Sequence, residues 1–190
     1  MIVNSFLRNK LVKHKKYSKA ENEMRTRIEI AASHRGGIVP LLGPTRCGKT
    51  ELLERLKIEL GKTHKMNLIA ESCDFGLSKI ATKPSDKAIY AAMLQAIGSV
   101  GKTGNETAHT LRHRVVKLIE DRKIKIIALD EASHCRERGA NLSARSATDL
   151  FKSIVDETGI VLVLCGLPKL QDLINENEQL RERSMATVFL

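Results

Sequence analysis

Residues 41–53 read LLGPTRCGKTELL, a hydrophobic run that breaks at Gly43 and resumes as a helical pattern after Gly48-Lys49-Thr50. The spacing Gly-x-x-x-x-Gly-Lys-Thr is that of a grip for nucleotide phosphates. Phosphate oxygens need several donors converging on one point. A loop feeding a helix N-terminus supplies backbone N–H groups and the positive end of the helix dipole. Gly43 lets the chain leave a strand sharply, and Gly48 lets the backbone approach the phosphates with no Cβ in the way. Lys49 reaches the β- and γ-phosphates as a point charge, and the Thr50 hydroxyl is suited to Mg²⁺.

A second chemical cue lies about eighty residues downstream, in RKIKIIALDEAS at 122–133. The run from Ile124 to Leu129 is a buried-strand pattern that ends on two carboxylates, Asp130 and Glu131. In an open α/β sheet, ligands collect at the carboxyl ends of the strands. Asp130 is the residue to orient Mg²⁺ and its waters, and Glu131 the one to polarise an attacking water. A strand ending in Asp-Glu is common on its own; paired with the phosphate loop it points to an ATPase.

The elements that must position these groups follow as a regular alternation. ENEMRTRIEIAASHRGG (21–37) reads as a helix stopped at Gly36-Gly37. GGIVPLL is a strand into the loop, and KTELLERLKIEL a helix with Leu52, Leu53, Leu56 and Leu60 at helical spacing. KMNLIAES (65–72) reads as the second strand, and 83–99 as a helix whose Pro84 and Ser85 suit its N-terminus. A helix over 106–123, the Asp-Glu strand, a helix over 145–159, a strand at 160–166, a helix over 169–183 and a closing apolar run ATVFL complete the pattern. Nearly all-apolar strands alternating with helices mean a mostly parallel sheet of five strands sandwiched by helices. Pro40 is out of place, because a proline inside a strand removes a ladder donor.

Composition bounds the function. The 190 residues are 42% hydrophobic, enough for a core, and carry a formal net charge of +10. That charge is uneven: residues 1–35 hold nine Lys and Arg against Glu21, Glu23 and Glu29. The expected organisation is a basic N-terminal arm and linker helix over 1–35, followed by a nucleotide-binding core over 36–190. A basic arm suggests nucleic acid or an acidic partner, or else a solvated leader. There is no Trp and aromatics are 3%, which argues against a stacking platform for single strands. Four cysteines at 47, 73, 135 and 165 form no close pair, so a reducing cytoplasm is the natural reading. No stretch approaches a membrane span. His109 and His113 lie one helical turn apart without the acidic partner of a zinc helix, and read as part of a solvated face. Cys47 sits at a helix N-terminus, where thiols are open to alkylation, but filling a variable loop position is the simpler role.

At this point a resemblance becomes specific. IVPLLGPTRCGKTELL, IKIIALDEASH, SATDLFKSIVDETGIVLVLCGLPKL and NENEQLRERS follow one another as in the TniB/TnsC family of transposition regulators. The resemblance covers about residues 36–190, and its last two segments are more diagnostic than the phosphate loop. It implies an AAA+ ATPase that binds double-stranded DNA without sequence preference. Such ATPases assemble on DNA as ATP-dependent rings or filaments and hand a target site to a transposase. Carried over by position, Gly43, Pro44, Thr45, Arg46, Cys47, Gly48, Lys49 and Thr50 form the ATP loop. Asp130 becomes the carboxylate on the Mg²⁺ side and Glu131 the base. Arg183, in EQLRER, looks like an arginine finger for the adjacent subunit's ATP, with Arg181 as a competitor. DNA contacts are implied around the helices after the second strand, where Lys83, Lys87, Lys102 and Thr103 stand. Contacts of that kind to phosphates are salt-sensitive and carry no base information.

Three departures stand out. Leu167 follows Gly166 where the family usually has a threonine sensing the γ-phosphate, which implies hydrolysis that is slow or sensed differently. Ser184 replaces an aromatic. Leu190 falls where a helical lid is expected to begin, so the expectation is an AAA+ core without that lid. Two other classes remain open on the sequence: a different AAA+ ATPase, helicase-loader-like or secretion-associated, and a nucleotide-binding module without turnover.

Overall fold

Tyr17, Ala20, Met24, Ile28 and Ala31 recur at three- and four-residue spacing and turn one face of helix α1 (Lys15–Ser33) inward. His14 caps this helix by accepting from the Tyr17 N–H. The fully buried Met24 and Ile28 side chains each contribute about 1.5–3 kcal/mol of burial. The chain then runs β1 (Gly37–Leu42), α2 (Lys49–Leu60), β2 (Thr63–Lys65), β3 (Glu71–Cys73), β4 (Phe75–Lys79), α3 (Asp86–Ala96), α4 (Ala108–Asp121) and β5 (Ile126–Asp130). A 3₁₀ turn (Ala132–Arg136), α5 (Ala144–Thr158), β6 (Val161–Gly166), α6 (Leu170–Glu176), α7 (Glu178–Glu182) and β7 (Val188–Phe189) complete it. This computed structural model describes residues 14–65, 71–99, 105–137 and 142–190.

Five strands form one sheet in the order β4–β5–β6–β1–β7, with every pairing parallel. Side chains alternate across it. Val39, Leu41, Ala128 and Val163 face α1 and α2. Ile38, Leu42, Ile127, Leu129, Leu162 and Leu164 face the layer built from α3 to α7. The expected five-stranded α/β sandwich is the observed fold.

Pro40 has a physical explanation. On β1, Ile38 bonds toward the β7 side: its N–H donates to Arg183 O, and its carbonyl accepts from Met185 N–H. Leu42 O accepts from Leu190 N–H on that same side. Backbone parity therefore aims the Pro40 nitrogen at β7 as well. There the chain from 185 to 188 bridges the gap and β7 pairs only with Leu41 and Leu42. The ladder to β6 loses nothing.

Three elements differ from the sequence expectation. The second strand of the sheet is β4, not 65–72: β2 and β3 pair antiparallel in a separate hairpin, and residues 66–70 lie outside the described residues. Asp74 separates hairpin from sheet strand, accepting from the Lys62 N–H at 2.6 Å. Gly76 hid β4, since Asp-Phe-Gly reads as a turn. It is needed because α3 crosses so closely that a Cβ there would lie 2.8 Å from Ala96 O. The helix expected over 169–183 is two, α6 and α7. They break at Asn177, whose side chain caps Leu180 N–H at 3.1 Å and donates to Thr148 Oγ1 at 2.8 Å. The first helix begins at Lys15 rather than Glu21 and packs on the core, tied to α2 by Arg25–Glu59 at 2.5 Å.

Candidate nucleotide site

The loop between β1 and α2 lies at the carboxyl end of the sheet. Gly48 caps α2 with φ 97°, a backbone conformation that costs a side chain-bearing residue about 1–2 kcal/mol. Arg46 also has positive φ, at 61°. Lys49 is buried and donates its ammonium protons to Gly43 O at 3.0 Å and Pro44 O at 2.6 Å, with Cys47 Sγ at 3.7 Å. The lysine thus holds the loop closed on itself through groups that a phosphate would replace.

Asp130 ends β5, which is separated from β1 by β6. It is 1% exposed. Its Oδ2 accepts from Thr50 Oγ1 at 2.6 Å and its Oδ1 from the Glu131 N–H at 2.8 Å. The phosphate loop and the acidic strand, eighty residues apart, are therefore joined by a hydroxyl–carboxylate pair. An oxygen-preferring divalent cation such as Mg²⁺ takes one or two carboxylates plus phosphate and water. Thr50 and Asp130 fit that donor set, and Lys49 fits the phosphates.

Glu131 leaves the strand in a left-handed conformation, φ 58°. Its half-exposed carboxylate turns into the cleft, 3.9 Å from His134 Nε2. The cleft is about 530 Å³ and is lined by Thr45, Arg46, Gly48, Lys49, Thr50, Glu51, Glu54, Asp130, Glu131 and Leu167. Beside Asp130, burial pushes the Cys165 thiol far up from its ordinary value. That keeps it protonated and unreactive.

Glu51 and Glu54 join the cleft from an i, i+3 pair on the helix leaving the loop, a spacing the sequence itself carries. Tyr17 supports the loop from α1. Its ring lies beneath Gly48, 3.4 Å from where a Cβ would stand. Burial raises its hydroxyl to about 12.

The remaining site residues lie elsewhere. Arg183 sits at the opposite end of β1, its carbonyl bonded to Ile38 N–H. Ile38 and Gly43 are five residues apart, roughly 16 Å along a strand. Arg183 donates from Nε to Asp156 Oδ1 at 2.7 Å, and Arg181 lies 3.8 Å from Glu178. Neither is brought to the chain's own cleft. Lys83, with φ 50°, and Lys87 are exposed at the start of α3. Lys102 and Thr103 lie outside the described residues.

A parallel sheet in this order, with the phosphate loop after β1 and the acid on β5, defines a P-loop NTPase core of the AAA+ class. The chain matches the family described as "Bacterial TniB protein" over residues 3–189. It belongs to the TniB family. No curated protein sequence matches it.

Among solved structures it is similar to the Aeropyrum pernix ORC2 protein in its ADPNP–ADP complexes. The TM-score is 0.66 and the identity 16%, over 94% of this chain and 48% of that one. It is also similar to the Walker-type ATPase of Pyrococcus abyssi (TM-score 0.59, 16% identity, 90% of this chain and 52% of that one). A third similar structure is the A. pernix ORC1 protein in complex with DNA, with TM-score 0.57 and 16% identity over 94% of this chain and 45% of that one. The chain spans about half the length of these proteins. Among the described residues, no helix is long and apolar enough to cross a membrane.

Proposed function

We propose that this chain is an ATP-dependent, double-stranded-DNA-binding regulator of DNA transposition, which assembles on target DNA, engages a transposase there and is released by hydrolysis. The observation that carries the proposal is the joining of Thr50 to the buried Asp130 in a chain of the TniB family. ATP-Mg²⁺ is the cofactor that this site suits. Lys49 exchanges the loop carbonyls for phosphate oxygens, Thr50 and Asp130 hold the cation side, and Glu131 takes the proton of the attacking water.

Arg183 is assigned to the neighbouring subunit's nucleotide. Its place about one strand length from its own loop supports an action in trans, and leaving Asp156 would free its guanidinium for that role. Leu167 offers no hydrogen bond to a γ-phosphate, which fits slow turnover. Lys83 and Lys87, with Lys102 and Thr103, are assigned to DNA phosphates. The fold's likeness to a protein solved in complex with DNA agrees with that assignment.

The test is anisotropy of a labelled random-sequence duplex with ATPγS, ADP or no nucleotide, for the wild type and Lys49→Ala. The expected outcome is tightening by ATPγS that the variant lacks. Equal affinity in all three nucleotide states would overturn the proposal.

A further inference from the structure

His109 and His113 take no part in the nucleotide site, yet their side chains converge. Both project from the first two turns of α4 (Ala108–Asp121), and their Nε2 atoms lie 3.1 Å apart. The rings meet edge to face, with centroids 4.4 Å apart and planes at 70°. Both side chains are exposed at this contact. Two imidazole nitrogens that each sit 2.0–2.1 Å from one ion, and 3.1 Å from each other, subtend about 95–102° at that ion. This lies between the right angle of square-planar or octahedral coordination and the tetrahedral angle.

From this geometry we propose that His109 and His113 form a two-point chelate for a borderline divalent transition metal (Zn²⁺, Ni²⁺ or Cu²⁺) on the surface of α4. Imidazole selects these ions, whereas Mg²⁺ demands oxygen ligands. The site is therefore chemically separate from the Thr50–Asp130 pair, and the two would not compete for one cation. Among the described residues no group of three His, Cys, Asp or Glu converges on a metal position, so water fills the remaining coordination positions. The step is ligand exchange without redox change. Two waters leave the hydrated ion, and each neutral imidazole binds through its Nε2 lone pair. The proton shared between the two Nε2 atoms moves to Nδ1 of the ring that carried it.

The charges on the same helix permit this. Arg112 is engaged by Glu157 and Ser153, and Arg114 by Glu106 at 2.9 Å. Lys117, one turn beyond His113 on the same helix, is a cation that opposes binding. Closing the chelate would staple the first two turns of α4, whose Leu111, Val115 and Ile119 are buried against α3 and α5.

The test is titration of the untagged chain with Ni²⁺ and, separately, Zn²⁺ by calorimetry, in the absence of nucleotide. It compares the wild type, His109→Ala and His113→Ala. The expected result is one binding event that weakens at least tenfold in either variant. The double variant H109A/K117H moves the pair one turn along α4, to 113 and 117, and is expected to regain binding. A wild type that binds neither ion, or variants that bind as tightly as the wild type, would overturn the chelate. So would failure of H109A/K117H to bind better than H109A. None of these outcomes bears on the ATPase reading, because no nucleotide is present.

Discussion

The Thr50–Asp130 pair can be tested without any ligand. Thr50→Val keeps the shape of the side chain and removes the hydroxyl that donates to Asp130 Oδ2 at 2.6 Å. Asp130 is 1% exposed, so the lost donor leaves a buried carboxylate oxygen short of a partner. A hydrogen bond to a charged group is worth about 1.5–3 kcal/mol. Thr50 itself is half-buried and borders the open cleft, so water replaces part of the lost donor. The expected cost is therefore about 1.5–2 kcal/mol, the lower half of that range. For a chain of this size that is a fall in Tm of about 3–8 °C.

Differential scanning calorimetry of the nucleotide-free protein measures it. The double-mutant cycle with Asp130→Asn isolates the charge. In the Asp130→Asn background, Thr50→Val removes only a neutral hydrogen bond, about 0.5–1.5 kcal/mol, so the two changes should not add. If Thr50→Val leaves Tm unaltered, or costs the same in the wild type and in Asp130→Asn, the two motifs are not joined by a charge-assisted bond. The account of how the loop and the acidic strand are held would then be wrong.

Gly76→Ala places a Cβ 2.8 Å from the Ala96 carbonyl oxygen, against backbone that cannot swing away. Overpacking of this kind costs about 1–3 kcal/mol, read as a lower urea midpoint with unchanged m-value. Pro40→Ala adds an N–H facing the 185–188 crossing and is expected to cost about 0.4–1 kcal/mol, through the unfolded chain alone. Val39→Pro, which aims its missing donor at β6 instead, removes a ladder hydrogen bond inside the sheet and is expected to lower the midpoint well below that of Pro40→Ala; equal midpoints for the two proline-site variants would refute the parity argument. If Arg183 acts in trans, Arg183→Ala and Glu131→Gln proteins should each lack turnover, while a mixture on DNA should regain part of it; a phosphate-release assay that finds the mixture inert would place the arginine elsewhere.

What was legible in the sequence was whatever depends on neighbours along the chain. Gly43 to Thr50 carry their geometry in their own spacing, and Ile126 to Leu129 announce a buried strand by continuous apolar character. Likewise the face of α5 and the strand after it are written in local periodicity. What was hidden depends on contacts between distant segments. Strand β4 is half polar and contains Gly76, so its pattern suggests a turn. Only the crossing of α3 over Gly76 and the pairing with β5 make it a strand. The break at Asn177 answers to Thr148, 29 residues earlier in the chain. The charge of residues 1–35 points to a basic arm and linker helix and is silent on how the helix packs. Read at helical spacing, Tyr17, Ala20, Met24, Ile28 and Ala31 mark the inward face of α1.

The same distinction governs the functional residues. A phosphate grip is local, one loop and one helix start, and its members come together within a single chain. Arg183 is bonded through Asp156 and seated by Ile38, about one strand length from the loop of its own chain. Its sequence neighbours describe a helix end and nothing more. Under the proposed action in trans, the information that its neighbours lack is the surface of another subunit. The complementation of Arg183→Ala by Glu131→Gln asks for that information directly, because regained turnover requires one chain's arginine to meet another chain's carboxylate.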